Sequence, residues 1–103
     1  MTEIVGRRLV QGLADLLTRF GVPSLDTHLI EDWASATFVG HRHCIRILLE
    51  SSRRPDTTML AMRLAEAEID LPGHLLADLA LAGHHDAANG ILLEIEALTL
   101  RYS

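Results

Sequence analysis

The stretch Thr27–Glu50, THLIEDWASATFVGHRHCIRILLE, decides how this chain is read. It holds two apolar runs with a polar break at Gly40-His41-Arg42. Its second run alternates: Ile45, Ile47 and Leu49 fall on one side, and Cys44, Arg46 and Glu50 on the other, with Leu48 interrupting the second set. Period two is the signature of a strand with unlike faces. The first run carries Trp33, Thr37, Phe38 and Val39, types that suit a pleated surface. The pair predicts a β-hairpin turning at Gly40-His41-Arg42. A helix through Cys44–Glu50 is the competing reading.

A second stretch, Gly73–Leu100, has the same character. Residues His74–Ala82 and Ile91–Leu100 predict strands, joined by a loop over Gly83–Gly90 that contains the turn pair Asn89-Gly90. Laying 28–49 over 74–95 without a gap gives six identities: His28/His74, Leu29/Leu75, Asp32/Asp78, Ala34/Ala80, Ala36/Ala82 and Ile45/Ile91. Chance gives roughly one or two at typical residue frequencies.

A helix is expected before each hairpin. Over Glu3–Phe20, apolar residues at Ile4, Val5, Leu9, Val10, Leu13, Leu16, Leu17 and Phe20 recur at spacings of three and four. Gly21 and Pro23 stop that helix, and Gly12 either weakens it slightly or lets another element come close. Ser51–Asp56 is a polar connector. Asp56 or Thr57 caps a second helix carrying Met59, Leu60, Met62, Leu64 and Ala67, which ends by Asp70. Leu71-Pro72-Gly73-His74 has the pattern of a type II turn.

The expected fold is therefore α+β. Two αββ repeats, about 1–50 and 51–103, form one domain with a four-stranded antiparallel sheet and both helices on one face. Parity assigns Leu29, Trp33, Leu75, Leu79 and Leu81 to the helix side, with Ile45, Ile47, Leu49, Ile91, Leu93 and Ile95. The other face then carries Ile30, Asp32, Ala34, Ala36, Phe38, Leu76, Asp78, Ala80, Ala82 and Leu92. Slipping a strand by one residue exchanges the two sets.

At 103 residues, with 49% hydrophobic and 22% charged residues, the chain is globular rather than disordered. Its mean hydropathy of +0.21 is high for so small a body. Some apolar surface must lie outside the core, and an apolar outer sheet face predicts a homodimer packed through it. A protein or small-molecule partner is the other use for such a surface. The net charge of −5, with no lysine, excludes nonspecific nucleic-acid binding by counterion release. One cysteine, Cys44, an N-terminus unlike a secretory signal and no long apolar run lead us to expect a cytoplasmic protein without a membrane span.

No motif of established chemistry is present, and no cofactor is expected. The acid–base candidates are His28, Asp32, His74 and Asp78, the recurring His-x-x-x-Asp pairs. Two carboxylates meeting at the sheet centre would hold one pKa high. Trp33 and Phe38 are the ligand-stacking candidates. Six histidines are many for this length, and His41, His43, His84 and His85 near the hairpin tips are the metal-binding alternative. Their spacing matches no recognised zinc pattern. The leading expectation is a non-catalytic homodimeric binding or interaction module. The alternative is a small enzyme using His and Asp in an apolar pocket between helices and sheet, or at the dimer seam.

Overall fold

The computed structural model describes residues 2–102, with the backbone only at Thr2. The elements follow the order α1 (Thr2–Leu17), β1 (Val22–Ala34), β2 (Val39–Glu50), α2 (Thr57–Ala65), β3 (His74–Ala87) and β4 (Gly90–Arg101). All four strands pair antiparallel, in the spatial order β1-β2-β4-β3. The α+β class, the sheet and the two helices are those the sequence predicts, and β2 is a strand rather than a helix.

The apolar stripe of α1 explains its place. Val5, Leu9, Leu13 and Leu17 are buried and pack with Ile45, Ile47 and Leu49 of β2 and Ile91, Leu93, Ile95 and Ala97 of β4. Leu60 and Leu64 of α2 complete the same cluster. From His43 to Leu49 in β2 and from Ile91 to Thr99 in β4 every second residue is thus buried, and their alternation is the clearest pattern in the chain. Gly12 admits the loop after α2: a Cβ there would meet Ile69 at 2.7 Å. The carboxylate of Asp56 accepts from the amides of Thr58 (2.9 Å) and Met59 (3.2 Å), capping α2. Gly73 adopts φ +68° and the His74 amide bonds to the Leu71 carbonyl at 3.1 Å, as a type II turn requires.

The turns lie elsewhere than expected. The first hairpin turns at Ser35–Phe38, where the Ser35 amide donates to the Phe38 carbonyl and the Ser35 hydroxyl accepts from the Phe38 amide. Gly40-His41-Arg42 lies inside β2. A side chain at Gly40 would overlap the Thr99 carbonyl, so glycine there permits close strand approach rather than a turn. In the second hairpin, Gly83–Ala87 stays in β3 and only Ala88-Asn89 makes the turn. The two tips lie at opposite ends of the sheet, because Gly40 pairs with Leu100 and Glu50 with Gly90.

The faces of the edge strands also need correction. Leu29 pairs with Cys44 and Trp33 with Gly40, so both belong to the open face; Leu29 is 67% exposed. His28, Ile30 and Asp32 take the helix side instead, opposite Ile45, His43 and His41. In β3, Leu76 is opposite Thr99 on the helix side and Leu75 is open, whereas Leu79 and Leu81 are on the helix side as expected. The cause is a register shift in each edge strand, between Leu25 and Thr27 and between Leu76 and Asp78. A single extra residue reverses parity beyond it. Ala36 and Phe38 are in the turn and belong to neither face. The ungapped superposition fails for the same reasons: His28 lies opposite Ile45, but His74 lies opposite Arg101 and Ile91 opposite Asp86.

Candidate functional site

The helix side of the sheet is apolar through its middle and turns polar toward the first hairpin tip. Successive cross-strand rows read His28–Ile45–Ile95–Leu81, Ile30–His43–Ala97–Leu79, Asp32–His41–Thr99–Leu76 and then Arg101–His74. Four of the six histidines gather here, under the N-terminal half of α1. A Cβ at Gly6 would meet His28 at 3.1 Å, so the helix passes close over that imidazole.

His43 is fully buried, and both its ring nitrogens are engaged. Nε2 lies 3.0 Å from Thr99 Oγ1, and Nδ1 lies 2.9 Å from His28 Nε2. The Thr99 hydroxyl donates to the His41 carbonyl at 3.4 Å. That direction fixes the rest: Thr99 accepts from His43 Nε2–H, and the bare His43 Nδ1 accepts from His28 Nε2–H. A proton on His28 leaves the chain of bonds intact. A proton on His43 Nδ1 breaks it, because two N–H groups would face each other. Burial first, then the neighbouring His28, His41 and His74 imidazoles, push the His43 pKa down to about 4. Burial also lowers that of His28.

Beside this chain, His41 Nε2 lies 3.4 Å from an Asp32 carboxylate oxygen, the carboxylate itself fully solvated. His41 Nδ1 is buried without a hydrogen-bond partner among the described residues. Asp32, His41, Trp33, Ala34, Val39, Gly40 and Arg101 line a concavity of about 340 Å³ at this end of β1 and β2. His74 is buried separately, its Nδ1 bonded to the Pro72 carbonyl at 2.8 Å.

The structure thus joins Asp32 with His41, and His28 with His43; Trp33 borders the same concavity from a strand position that faces the open side. It does not join the two aspartates. Asp32 is on one edge strand and Asp78 on the other, opposite Leu98 on the open face. Phe38 is exposed in the first turn and does not line the Trp33 concavity. His84 and His85 sit near the other hairpin tip, where His85 approaches Glu94 at 3.5 Å, far from His41 and His43. Among the described residues no three His, Cys, Asp or Glu side chains converge as metal ligands.

Two residues of this site escaped the sequence reading. Thr99 continues the inward series Ile91, Leu93, Ile95, Ala97, and a threonine at the next inward position was the available signal. Arg101 follows it by the same step. No helix among the described residues is long and apolar enough to cross a membrane. No family model, characterised protein or solved structure matches this chain.

Proposed function

We propose that this protein is a cytoplasmic homodimeric binding module whose two copies pack through their open sheet faces. The observation that carries this is the charge layout of that face. The outward residues of β2 are Arg42, Cys44, Arg46 and Leu48; those of β4 are Leu92, Glu94, Glu96 and Leu98. A two-fold axis running between β2 and β4, parallel to them, lays each basic row over the acidic row of a second copy. Arg46 and Glu94 already pair at 3.0 Å within one protomer, and the same groups then form a four-membered network across the seam. Leu29, Trp33 and Leu75 flank the rows, while Glu31 and Asp78 stay at the solvated rim.

The size supports the reading. Strands of 12 residues and a sheet of four strands give a face of roughly 750 Å² at ~3.3 Å per residue and ~4.8 Å per strand. A standard specific interface buries about 800 Å² per partner. The element order also supports two αββ units, about 1–50 and 51–103. Each unit is a helix followed by an antiparallel hairpin, and β2 and β4 are equal in length.

Sedimentation equilibrium tests the dimer. The expected mass at tens of micromolar is twice the 11.4 kDa of the protomer, and Arg46→Glu shifts it toward the monomer. A monomer of the unsubstituted chain at that concentration overturns the proposal. The Asp32–His41 pair in its concavity favours a second reading, a small enzyme using that pair as acid and base.

A further inference from the structure

We propose that His28 Nε2 and His43 Nδ1 form a linear, two-coordinate site for a soft monovalent cation, copper(I). The pair lies on the helix side of the sheet, so the inference does not depend on the dimer, and metal binding and sedimentation decide the two separately.

Alignment carries the inference. The facing nitrogens are 2.9 Å apart and the ring centroids 5.2 Å apart, a difference of two ring radii. The line through the nitrogens therefore passes close to both ring centres. An imidazole lone pair points straight out from its ring, so each nitrogen aims at the other. An ion held by both sits on that line, between two opposed donors. A tetrahedral ion instead requires donors aimed at a point off the line, and more of them. Among the described residues no third His, Cys, Asp or Glu converges on the pair. Even the His41 ring, whose Nδ1 is buried without a hydrogen-bond partner among those residues, has its centroid 6.4 Å from that of His43.

Charge narrows the choice further. Both donors are neutral imidazoles, His43 is fully buried, and among the described residues no carboxylate pairs with either ring. The solvation cost of burying an ion rises with the square of its charge, about fourfold from one charge to two. A divalent ion would be buried here with nothing to offset its second charge. Copper combines affinity for imidazole nitrogen with a monovalent state that accepts two donors in line.

The surroundings hold the donors ready. Thr99 Oγ1 takes the His43 Nε2–H at 3.0 Å, which keeps Nδ1 bare and orients the ring. The ion replaces only the proton between the rings: that proton moves from Nε2 to Nδ1 of His28, and both imidazoles stay neutral. Two nitrogens each about 2 Å from an ion stand about 4 Å apart in line, so the pair opens by about 1 Å. His28 can give way, being half-buried on the edge strand β1. Gly6 of α1 leaves room above its ring, where a Cβ would stand 3.1 Å from Cε1 and 3.8 Å from Nδ1.

Copper(I) is titrated in oxygen-free buffer at neutral pH into the full chain carrying Cys44→Ser, which removes an exposed thiol that would take the ion itself. A chromogenic copper(I) chelator competes for the ion. The expected result is one copper(I) per chain, with an X-ray absorption edge of two-coordinate copper(I) and nitrogen neighbours only. Adding His28→Gln should weaken retention by about a hundredfold or more. Glutamine keeps an amide donor at that position, and far-UV circular dichroism with the urea midpoint checks that the fold is retained. Failure of the Cys44→Ser chain to hold copper(I) against the chelator overturns the site, as does equal retention after His28→Gln. An absorption edge of four-coordinate copper, or displacement of the ion by equimolar zinc(II), overturns the linear geometry.

Discussion

Lowering the pH from about 7.5 to about 5 should destabilise this protein through His43, and the size of the effect follows from its position. In the unfolded chain the imidazole titrates near 6.5, whereas in the fold burial and three imidazole neighbours lower its pKa to about 4. The unfolded state therefore binds the proton first as pH falls. The stability that neutral His43 contributes is complete above about pH 6.5, declines through the window between the two values, and levels off below about pH 4. At about pH 5 the unfolded histidine is almost wholly protonated and the folded one about one-tenth so. The ratio of the two binding polynomials gives a loss of about 2 kcal/mol relative to about pH 7.5. Urea unfolding at fixed protein concentration measures it. With a slope of about 1–2 kcal/mol per molar for this size, the midpoint should drop by about 1–2 M. His43→Leu separates this group from the other titrating side chains. The variant should be less stable near neutrality, because it leaves His28 Nε2–H without its acceptor and the Thr99 oxygen without the N–H it accepts. Its own fall between the two pH values should be smaller than that of the unsubstituted chain by about 2 kcal/mol. If both proteins lose the same stability over that range, His43 is not held neutral and the hydrogen-bond assignment is wrong.

Three further outcomes are expected. Gly40→Ala puts a methyl group into the Thr99 carbonyl and should cost about 3 kcal/mol or more, read as a lowered urea midpoint and loss of protection from hydrogen exchange in β2 and β4. Leu64→Ala, fully buried beneath α2, should cost about 2–5 kcal/mol, against about 1 kcal/mol for loss of the cap in Asp56→Ala; thermal and urea unfolding rank the two. Cys44, exposed on the open face of one protomer, should be alkylated quickly in dilute solution and several-fold more slowly at concentrations that favour the dimer; equal rates at both count against face-to-face association.

The central strands were legible because their neighbours on both sides are strands and their alternation runs unbroken. Ile45, Ile47 and Leu49 and then Ile91, Leu93 and Ile95 each keep one parity from end to end, so composition alone places them. The edge strands were not legible because parity in β1 and β3 is reset by extra residues that have no sequence signature: Asp26 and Ala77 could each sit in a regular strand. The turns misled for a related reason. Gly40 and Gly83 carry the residue type of a turn, but at Gly40 the missing side chain serves strand-to-strand approach. The histidine cluster was half visible. His41 and His43 stand out in the chain, yet their partners His28 and Thr99 lie 15 and 56 residues from His43, and only the register of three strands brings them together.

The resets of parity have a consequence for the protein's behaviour in a crowded solution. The order β1-β2-β4-β3 leaves two long strands with unpaired backbone edges, which invite indefinite strand-by-strand addition. Each of these edges is interrupted: once in β1, at Asp26, and twice in β3, at Ala77 and Ala82. An incoming strand of regular pleat loses register at each interruption and cannot run the length of the edge. The same residues that hide the faces of β1 and β3 from a reader of the sequence thus keep the sheet finite, and they leave the flat open face as the surface through which copies can meet.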